Sequence, residues 1–343
     1  MKKKIFLGFY NWGTQAGLHS KMLRDRGYNS ESFIFEDRFN RQADKKISMP
    51  KNYLIHRLKR LLIGIKLFVQ NFHKDVFIFY GGSTFLPMYL DLKILTFFGK
   101  NIVFYYMGND VQGYQLSLQK YKYTNMRFYC RNHAEGIKYD RKISKRLAKH
   151  RMFATKQIVC APMYSEFVPN CSLLPLVINL DNYYFEPTKQ DVINILHAPS
   201  VRDVKGTSYI QYAVDLLVSE GYNVALKIVE NTEHEELINE YRKCDIFVDQ
   251  LLAGWYGTAS IEAMASYKTT VCFLRESYRE HCSYFDELPI VNANPDNIYQ
   301  CLKNLITDPS VLKDLGIKSR KFVEKFHSPQ YVIPALEELI NLK

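Results

Sequence analysis

Apolar runs of strand length alternate with segments of helical period along the first half of the chain. Helices are predicted near Ala16–Arg26 and near Tyr53–Phe72. The apolar runs around and after them are KKKIFLGFY, SESFIFE, DVFIFYG, NIVFYYMG and KQIVCAP. Continuous apolar strands separated by helices are typical of βαβ units, so this half predicts a parallel sheet covered by helices.

The pattern loosens around Val168–Pro187, where three prolines fall, and then restarts. The second set of predicted strands is VINILHAPS, NVALKIVE, CDIFVDQ, TTVCFL and PIVNA, with helices near Thr207–Glu220, His234–Lys243 and Thr258–Ser266. Residues 308–343 have a helical pattern, and Pro329 and Pro334 predict a break in it. The chain is therefore predicted to form two doubly wound α/β units. Such units bind ligands in the crevice at the carboxyl ends of their strands.

The composition is that of a globular protein of about two domains, since the 343 residues are 47% hydrophobic and 24% charged. The seven cysteines form no CxxC pair and mostly lie in apolar surroundings, which favours reduced thiols and a cytoplasmic protein. The start, MKKKIFLGFYNWGTQ, has the charge of a signal peptide, but its apolar stretch is too short, and we interpret it as the first strand. No run approaches the roughly 18 apolar residues of a membrane span.

Positive charge is concentrated in the first part of the chain. Residues 1–150 hold 28 Lys and Arg against 10 Asp and Glu, while the remaining residues hold 18 against 25. A basic half indicates an anionic partner, such as a membrane surface, a nucleic acid or a phosphorylated substrate. One candidate surface is the helix in PKNYLIHRLKRLLIGIKLFVQNF, with an apolar stripe of Leu54, Leu58, Leu61, Ile65 and Phe68. Two interpretations stay open: packing on the core with a wet opposite face, or docking on anionic lipid.

The loop after the strand VINILH predicts an anion site. In HAPSVRDVKGTS, Arg202 and Lys205 precede Gly206 and the start of a helix. Two cations beside a helix N-terminus can clamp a diphosphate, because each charge-assisted hydrogen bond contributes about 1.5–3 kcal/mol. The alternative is that both cations belong to a solvated loop.

The stretch LLAGWYGTASIEAMA predicts a second part of the same site. Gly254 and Gly257 let the backbone approach a ligand closely, and the helix from Thr258 points the positive end of its dipole at it. Glu262 lies one turn into that helix, where its carboxylate can accept two hydrogen bonds from a vicinal diol, such as that of a ribose. Alternatively, Glu262 only complements the helix dipole, which contributes about 0.3–1 kcal/mol.

These two motifs resemble the donor half of GT-B glycosyltransferases, and of the large retaining family four in particular. HAPSVRDVKGT is similar to the family's diphosphate-binding loop, and DIFVDQLLAGWYGTASIEAMASYKTTVCF is similar to its nucleotide-binding strand, loop and helix. The close match covers about 80 residues, and the order of elements agrees over the whole chain. The resemblance implies two Rossmann-like domains that face a cleft. They would be an N-terminal acceptor domain at 1–180, a nucleotide-sugar domain at 181–327, and a final helix at 328–343 that crosses back to the first domain.

The resemblance implies transfer of a sugar from a nucleotide-sugar donor. Glu262 would contact the ribose, Arg202 and Lys205 the diphosphate, and Gly257 to Ala259 would supply backbone N–H groups. The predicted donor-binding residues are His197, Arg202, Lys205, Gly254, Tyr256, Gly257, Thr258, Ala259 and Glu262. In one departure, the first of the family's two paired acids is replaced here by Gly254. That acid commonly holds donor sugar hydroxyls, so the sugar and, to a lesser degree, the retaining outcome stay open.

The first half is expected to hold the acceptor at the ends of its strands. YYMGNDVQ resembles a family segment whose acid faces the cleft, so Asp110 is the candidate acceptor contact or base. The alternative is that Asn109 and Asp110 only cap the turn. The predicted acceptor-side residues are Gly13, Gly17, Gly82, Ser83, Asn109 and Asp110.

No Asp-x-Asp motif and no cluster with metal-ligand spacing occurs in the sequence, so neither a metal nor another cofactor is expected. The charge that develops on the departing diphosphate would then be stabilised by Arg202, Lys205 and the helix dipole. The catalytic candidates are therefore Asp110, Arg202 and Lys205.

The expected function is transfer of a sugar to a glycan or lipid-linked acceptor in cell-surface polysaccharide assembly, such as capsule or lipopolysaccharide, at the cytoplasmic face of the membrane. A catalytically degenerate relative that binds a membrane or polyanion is one alternative, motivated by Gly254. A phosphorylase or epimerase on the same fold is another. Nucleic-acid binding is not expected, because the aromatic residues do not interleave with the basic runs.

Overall fold

The computed structural model describes residues 2–36, 42–50, 52–184 and 192–342. It contains two compact units, each built on its own parallel sheet. The first unit consists of the described residues up to Gln112, of Arg141–Val177, and of the described residues from Pro329 onward. The second unit consists of Gly113–Asp140 and the described residues from Ile178 to Ser328. The predicted fold class, doubly wound parallel α/β, is confirmed for both units.

The first unit has a seven-stranded sheet. Its strands are β1 (Lys4–Phe9), β2 (Asn29–Phe35), β3 (Lys45–Ile47), β4 (Val76–Tyr80), β5 (Asn101–Tyr106), β6 (Lys156–Val159) and β7 (Ser172–Leu173). The order is β3-β2-β1-β4-β5-β6-β7, and every pair is parallel. Strands β1, β4 and β5 are buried along almost their whole length, as continuous apolar strands covered on both faces should be. The switch point of this sheet lies between β1 and β4.

The second unit has a five-stranded sheet. Its strands are β8 (Ile193–His197), β9 (Val224–Ile228), β10 (Ile246–Val248), β11 (Thr269–Cys272) and β12 (Val291–Asn292). The order is β12-β11-β10-β8-β9, again with every pair parallel. One apolar core cluster joins Ile195, Ile246 and Val271 of three neighbouring strands to helices packed on the sheet. The strands therefore form a rigid platform for the loops at their carboxyl ends.

Twelve α-helices occur in the part of the chain that the structure describes. They are α1 (Gln15–Asp25), α2 (Tyr53–Asn71), α3 (Leu90–Phe97), α4 (Tyr114–Lys120), α5 (His133–Phe153), α6 (Arg202–Lys205), α7 (Thr207–Ser219), α8 (His234–Lys243), α9 (Thr258–Ala265), α10 (Ile298–Thr307), α11 (Ser310–Phe326) and α12 (Pro329–Leu339). Pro329 takes the first position of α12, where its missing N–H has no helical partner to lose.

The predicted break at Pro334 is wrong, because this proline lies inside α12. The side chains of Val332, Ile333 and Leu336 around it are buried. Packing of this apolar face stabilises the helix beyond what local propensity predicts. Tertiary contacts therefore outweigh the proline at this position.

The segment Gly113–Asp140 follows β5 in sequence but belongs to the second unit. Lys122 forms an ion pair with Asp296, with 2.7 Å between Nζ and Oδ2. The guanidinium of Arg275 lies 3.9 Å from the ring centroid of Tyr121 and donates to the backbone carbonyl of Tyr123. Because these contacts join residues far apart in sequence, the pattern of apolar runs does not predict this assignment.

Candidate functional site

The second sheet has its topological switch point between β8 and β10. Strand β8 pairs with β9 on one side and with β10 on the other. The strand after β8 is therefore added on one side, and β10, β11 and β12 are added on the opposite side. In open α/β sheets, ligands bind outside the carboxyl ends of the strands at such a point. The predicted motif at His197–Gly206 follows β8, and the predicted motif at Gly254–Glu262 follows β10. The structure therefore brings the two predicted donor motifs to one edge of the sheet.

A buried ion pair joins the two motifs. Lys205 Nζ lies 2.6 Å from Asp249 Oδ1, and the side chains are 16% and 1% exposed. Burial works against both charges, but each partner outweighs it, so the pKa of Lys205 is raised and the pKa of Asp249 is lowered. Lys205 is thus a fixed cation. Its ammonium has three N–H groups, and the bond to Asp249 uses one of them.

Asp249 also fixes the start of α9. Its Oδ2 accepts a hydrogen bond from the Gly257 backbone N–H at 3.1 Å and another from Ser260 Oγ at 2.6 Å. The N–H groups in the first turn of a helix have no partner within the helix. Gly257, Thr258 and Ala259 are partly exposed. The arrangement therefore holds a lysine ammonium beside the partly exposed N-terminus of α9, which is a favourable environment for an anion.

Glu262 is oriented by residues of helix α8. Its Oε1 lies 2.8 Å from His234 Nε2, and its Oε2 accepts a hydrogen bond from Tyr241 at 3.2 Å. The hydroxyl of Tyr183 lies 3.4 Å from the same His234 nitrogen. Glu262 is nearly buried, whereas the His234 side chain is 56% exposed. Each carboxylate oxygen keeps a further lone pair, and contact with a ribose stays a prediction.

The side chains of His197 and Tyr256 are held by protein partners. His197 is fully buried, with Nδ1 at 2.7 Å from the Val248 carbonyl and Nε2 at 2.9 Å from Thr207 Oγ1. Burial lowers its pKa to about 4, so the ring is neutral. Tyr256 is also buried, and its hydroxyl lies 3.0 Å from His327 Nε2. Both side chains thus have polar partners within the interior, and their contact with a donor stays a prediction.

Arg202 is exposed and pairs with an acid. Its Nε and Nη2 donate to Glu230 Oε2 at 2.9 and 2.6 Å. The side chain of Arg202 is 51% exposed, so a stronger anion could replace Glu230 without opening the core. The structure thus shows the two predicted cations in different states: Lys205 is held by a buried acid and is only slightly exposed, whereas Arg202 is at the surface.

Gly254 lies against a buried arginine that sequence reasoning missed. Its φ is +86°, and a Cβ built on it would lie 2.5 Å from Arg275 Nη1. Arg275 Nη1 donates to the Tyr278 hydroxyl at 2.7 Å, and Nη2 donates to the Leu252 carbonyl at 3.1 Å. The positive φ and the close approach to Arg275 explain why this position favours glycine, and the contact of Gly254 with a donor stays a prediction.

The predicted acceptor-side residues come together at the carboxyl edge of the first sheet. They follow β1, β4 and β5, which are neighbours in that sheet. Gly17 approaches the Gln42 carbonyl so closely that a Cβ would lie 2.2 Å from it. A Cβ on Gly82 would lie 2.9 Å from His150 Cε1, and Gly13 and Gly82 both have positive φ. The conformation and close approaches of these glycines thus favour a residue without a side chain, and Ser83 beside them is partly exposed.

The carboxylate of Asp110 caps the turn after β5. Its Oδ1 accepts from the backbone N–H of Gly108 at 2.8 Å and of Met107 at 3.2 Å. Arg146 donates to the backbone carbonyl of Asp110. Burial raises the pKa of Asp110 to about 6, against the lowering effect of Arg146 and the backbone donors. In this geometry the turn-capping interpretation describes Asp110, and its acceptor role stays a prediction; Asn109 beside it is exposed.

Two further features concern metal and membrane. Within the described ranges, no group of three or more His, Cys, Asp or Glu side chains is arranged to hold a metal ion. No helix among the described residues combines the length and apolarity needed to cross a membrane.

Sequence reasoning missed several residues at these edges. Asp249 carried a usable signal, because it is an acid directly after the buried strand β10. His234 and Tyr241 are seven residues apart and therefore lie on the same face of α8, where both contact Glu262. This spacing is common in amphipathic helices, so it does not mark them as partners of an acid on another helix. Arg275 likewise has the sequence context of an ordinary loop cation. Its carbonyl partners, which show that it is buried, are known only from the structure.

Similarity of this chain to known proteins is found among solved structures. No protein-family model matches it, and no curated protein matches it in sequence. Among solved structures, it is similar to sucrose-phosphate synthase (tll1590) from Thermosynechococcus elongatus, with a TM-score of 0.64, 14% identity, and coverage of 99% of this chain and 98% of that one.

Two other solved structures are similar over nearly the whole length. WaaG, a glycosyltransferase involved in lipopolysaccharide biosynthesis, gives a TM-score of 0.62 at 11% identity, covering 98% of this chain and 99% of that one. Anabaena Alr3699/HepE in complex with UDP-glucose gives a TM-score of 0.61 at 10% identity, covering 99% of this chain and 100% of that one. These neighbours establish the GT-B fold that the resemblance implied. At such identities they establish the fold alone, since one fold supports several reactions.

Proposed function

We propose that this chain is a glycosyltransferase that binds a nucleotide-sugar donor at the carboxyl edge of the second sheet. The observation that carries the proposal is the Lys205–Asp249 pair, which fixes an ammonium group beside the partly exposed N-terminus of α9 at the switch point. A helix N-terminus with an adjacent cation is suited to a diphosphate. The similarity to HepE, crystallised with UDP-glucose, supports a UDP-sugar as the first donor to test.

The same residues can stabilise the leaving nucleoside diphosphate without a metal ion. As the glycosidic bond breaks, negative charge grows on the diphosphate, and a preorganised cation and helix dipole become more favourable toward the transition state. Lys205 is preorganised because Asp249 orients it. Arg202 would exchange Glu230 for a phosphate oxygen, and Glu262 would accept hydrogen bonds from the ribose hydroxyls.

We further propose a glycan or lipid-linked acceptor at the edge of the first sheet, and a retaining outcome. The setting in cell-surface polysaccharide assembly is supported by the similarity to WaaG. The acceptor role of Asp110 belongs to this part of the proposal. Its pKa of about 6 places its protonation change close to neutral pH, where proton exchange with a hydroxyl is useful.

The experiment is a turnover assay with a panel of nucleotide sugars, in which release of the nucleoside diphosphate and the fate of the sugar are both followed. The informative variant is Arg202→Ala, because the side chain is exposed and its loss leaves the core unchanged. Loss of one charge-assisted bond worth about 1.5–3 kcal/mol should lower turnover by about 10-fold to 150-fold. Lys227→Ala is the matched control, since Lys227 forms a similar exposed pair with Glu240 on the same unit.

Three results would contradict the proposal in different ways. A sugar isomerised while still attached to its nucleotide would indicate an epimerase. Release of a sugar phosphate would indicate a phosphorylase. Absence of both turnover and nucleotide binding would favour a catalytically degenerate protein.

A further inference from the structure

Helix α2 has two apolar faces, and only one of them is packed. The packed face consists of Gly64, Leu67, Phe68 and Asn71, all buried. The expected stripe mixes the two faces: Phe68 is buried, while Leu58, Leu61 and Ile65 are 61%, 38% and 45% exposed. The side chain of Leu54 lies outside those the structure describes. The face of α2 opposite the core is therefore apolar, whereas an ordinary core helix has a polar, solvated face there.

The second apolar face is a continuous exposed stripe. Its members recur at spacings of three and four residues, the period of one helix face: Ile55, Leu58, Leu62, Ile65 and Val69. Their exposed fractions run from 45% to 69%. A single exposed leucine needs no explanation, but a contiguous stripe of this length marks an interaction surface.

Helix α3 extends the same surface. The crossovers β3-α2-β4 and β4-α3-β5 advance in one direction along the sheet, so right-handed connections place both helices on the same face. Direct contact agrees, because the rings of Phe72 and Phe98 meet edge to face at 5.1 Å between centroids. Exposed side chains of this second part are Met88, Leu90, Ile94, Phe97 and Phe98. About half of the exposed large hydrophobic side chains among the described residues lie between Ile55 and Phe98.

The charge around this surface is of one sign. From Asn52 to Lys74 the sequence contains no Asp or Glu. The exposed cations here are Arg57, Lys59, Lys66 and, on α3, Lys93. The one acid of α3, Asp91, is fully buried and accepts from the Phe85 N–H at 2.6 Å and from Thr84 Oγ1 at 3.2 Å. The exposed charges that the structure describes on α2 and α3 are therefore all positive. The exposed acid Asp75 lies directly before β4 and belongs to neither helix.

We propose that the α2–α3 surface, defined by the exposed apolar and cationic residues of α2 and of the segment 88–98, docks on an anionic lipid bilayer. Charge decides between this occupant and a second copy of the chain. A helix pair formed by two copies would bring like charges together at Lys59 and Lys66 with no acid to offset them. A bilayer with anionic headgroups can bind both the apolar and the cationic side chains. The apolar side chains enter the boundary between headgroups and acyl chains, and the cations face the phosphates.

The test is co-sedimentation of the full chain with vesicles of phosphatidylcholine alone and of an equimolar mixture with phosphatidylglycerol. Wild type should bind the mixed vesicles at low ionic strength and lose binding at about 1 M salt, where the screening length falls to about 3 Å. Leu62→Ser/Val69→Ser/Phe97→Ser should bind at least about tenfold less tightly, since it removes three apolar contacts. The control Tyr212→Ser/Val218→Ser removes exposed apolar residues of α7 and should bind as wild type does.

A second variant does not depend on the apolar residues. Lys59→Gln/Lys66→Gln should weaken binding to mixed vesicles by about 25-fold, or about fivefold for each cation near the surface. Both variants should melt like wild type, because the altered side chains are exposed. Wild type that ignores mixed vesicles, or both variants binding normally, would overturn the proposal. So would a wild-type dimer that the triple variant converts to a monomer, since the surface would then be a contact between copies. None of these outcomes depends on sugar transfer.

Discussion

Replacing Lys205 by methionine should destabilise the second unit strongly. The methionine fills a similar volume but leaves the Asp249 carboxylate charged at a site where its side chain is 1% exposed. Two hydrogen bonds remain, from the Gly257 N–H and Ser260 Oγ. Breaking a buried pair by removing one partner costs about 3–5 kcal/mol, because the other charge stays buried without compensation.

The measurement is urea unfolding followed by tryptophan fluorescence. In a Trp12→Phe background the signal comes from Trp255, which is buried in the second unit. The matched control is Lys227→Met, whose partner Glu240 lies at 2.6 Å but whose own side chain is 60% exposed. Exposed pairs contribute about 0–1 kcal/mol, so the control should remain close to wild type.

A double variant and a pH series separate charge from packing. Lys205→Met/Asp249→Asn removes the unpaired charge and should recover at least about 1.5 kcal/mol of the loss. In wild type, Lys205 lowers the pKa of Asp249 against the effect of burial, so this stability is present above the unfolded-state pKa and is lost as pH falls. In Lys205→Met, burial is opposed only by the hydrogen bonds from Gly257 and Ser260, so the pKa of Asp249 should be higher than in wild type and the stability deficit should shrink as pH is lowered. A single variant as stable as wild type, or a double variant no better than the single one, would refute the reasoning.

Two further predictions concern single residues. Gly254→Ala should lower the free energy of unfolding by more than about 1 kcal/mol, since φ is +86° and the new Cβ would lie 2.5 Å from Arg275 Nη1. Gly257→Ala should lower it by less in the same thermal melt, because its Cβ would lie 3.7 Å from the nearest atom. For Asp110, burial raises the pKa to about 6, above the unfolded value, so stability should rise as pH falls from about 7 to about 4. Asp110→Asn should abolish that rise, by up to about 3 kcal/mol in urea unfolding at the two pH values; an unchanged pH profile would show that Asp110 does not titrate in this way.

Much of the fold could be predicted because the hydrophobic pattern of long apolar strands and amphipathic helices indicates which of their residues are buried. The prediction for α8 coincides with His234–Lys243, and those for α2, α7 and α9 differ from the structure by one residue at one end. The prediction for α1 is displaced by one residue at both ends. The short strands β3 and β7 were missed, since KKI and SL have no apolar period. Helices α3, α4 and α5 were also missed.

The candidate site was predicted in its motifs but not in its contacts. The Arg202–Lys205 loop and the start of α9 could be read from glycines and charges beside strand ends. The pairing of Lys205 with Asp249 could not be predicted, because it joins residues 44 positions apart. The interior partners of His197 could not be predicted either, since both of its ring nitrogens bond to residues distant along the chain or beyond the next helix start. Position along a strand is local information, while the direction of a side chain is set by its tertiary neighbours.

The central claim is tested most directly by thermal stabilisation with UDP, GDP and their sugar conjugates, without added metal. A ligand at about 100 times its Kd should stabilise the folded chain by roughly 2.7 kcal/mol. We predict that one nucleotide family raises the Tm of wild type and of Glu235→Ala, an exposed control on α8, and that Glu262→Ala loses the shift. No shift with any nucleotide, or an undiminished shift in Glu262→Ala, would contradict the donor site described above.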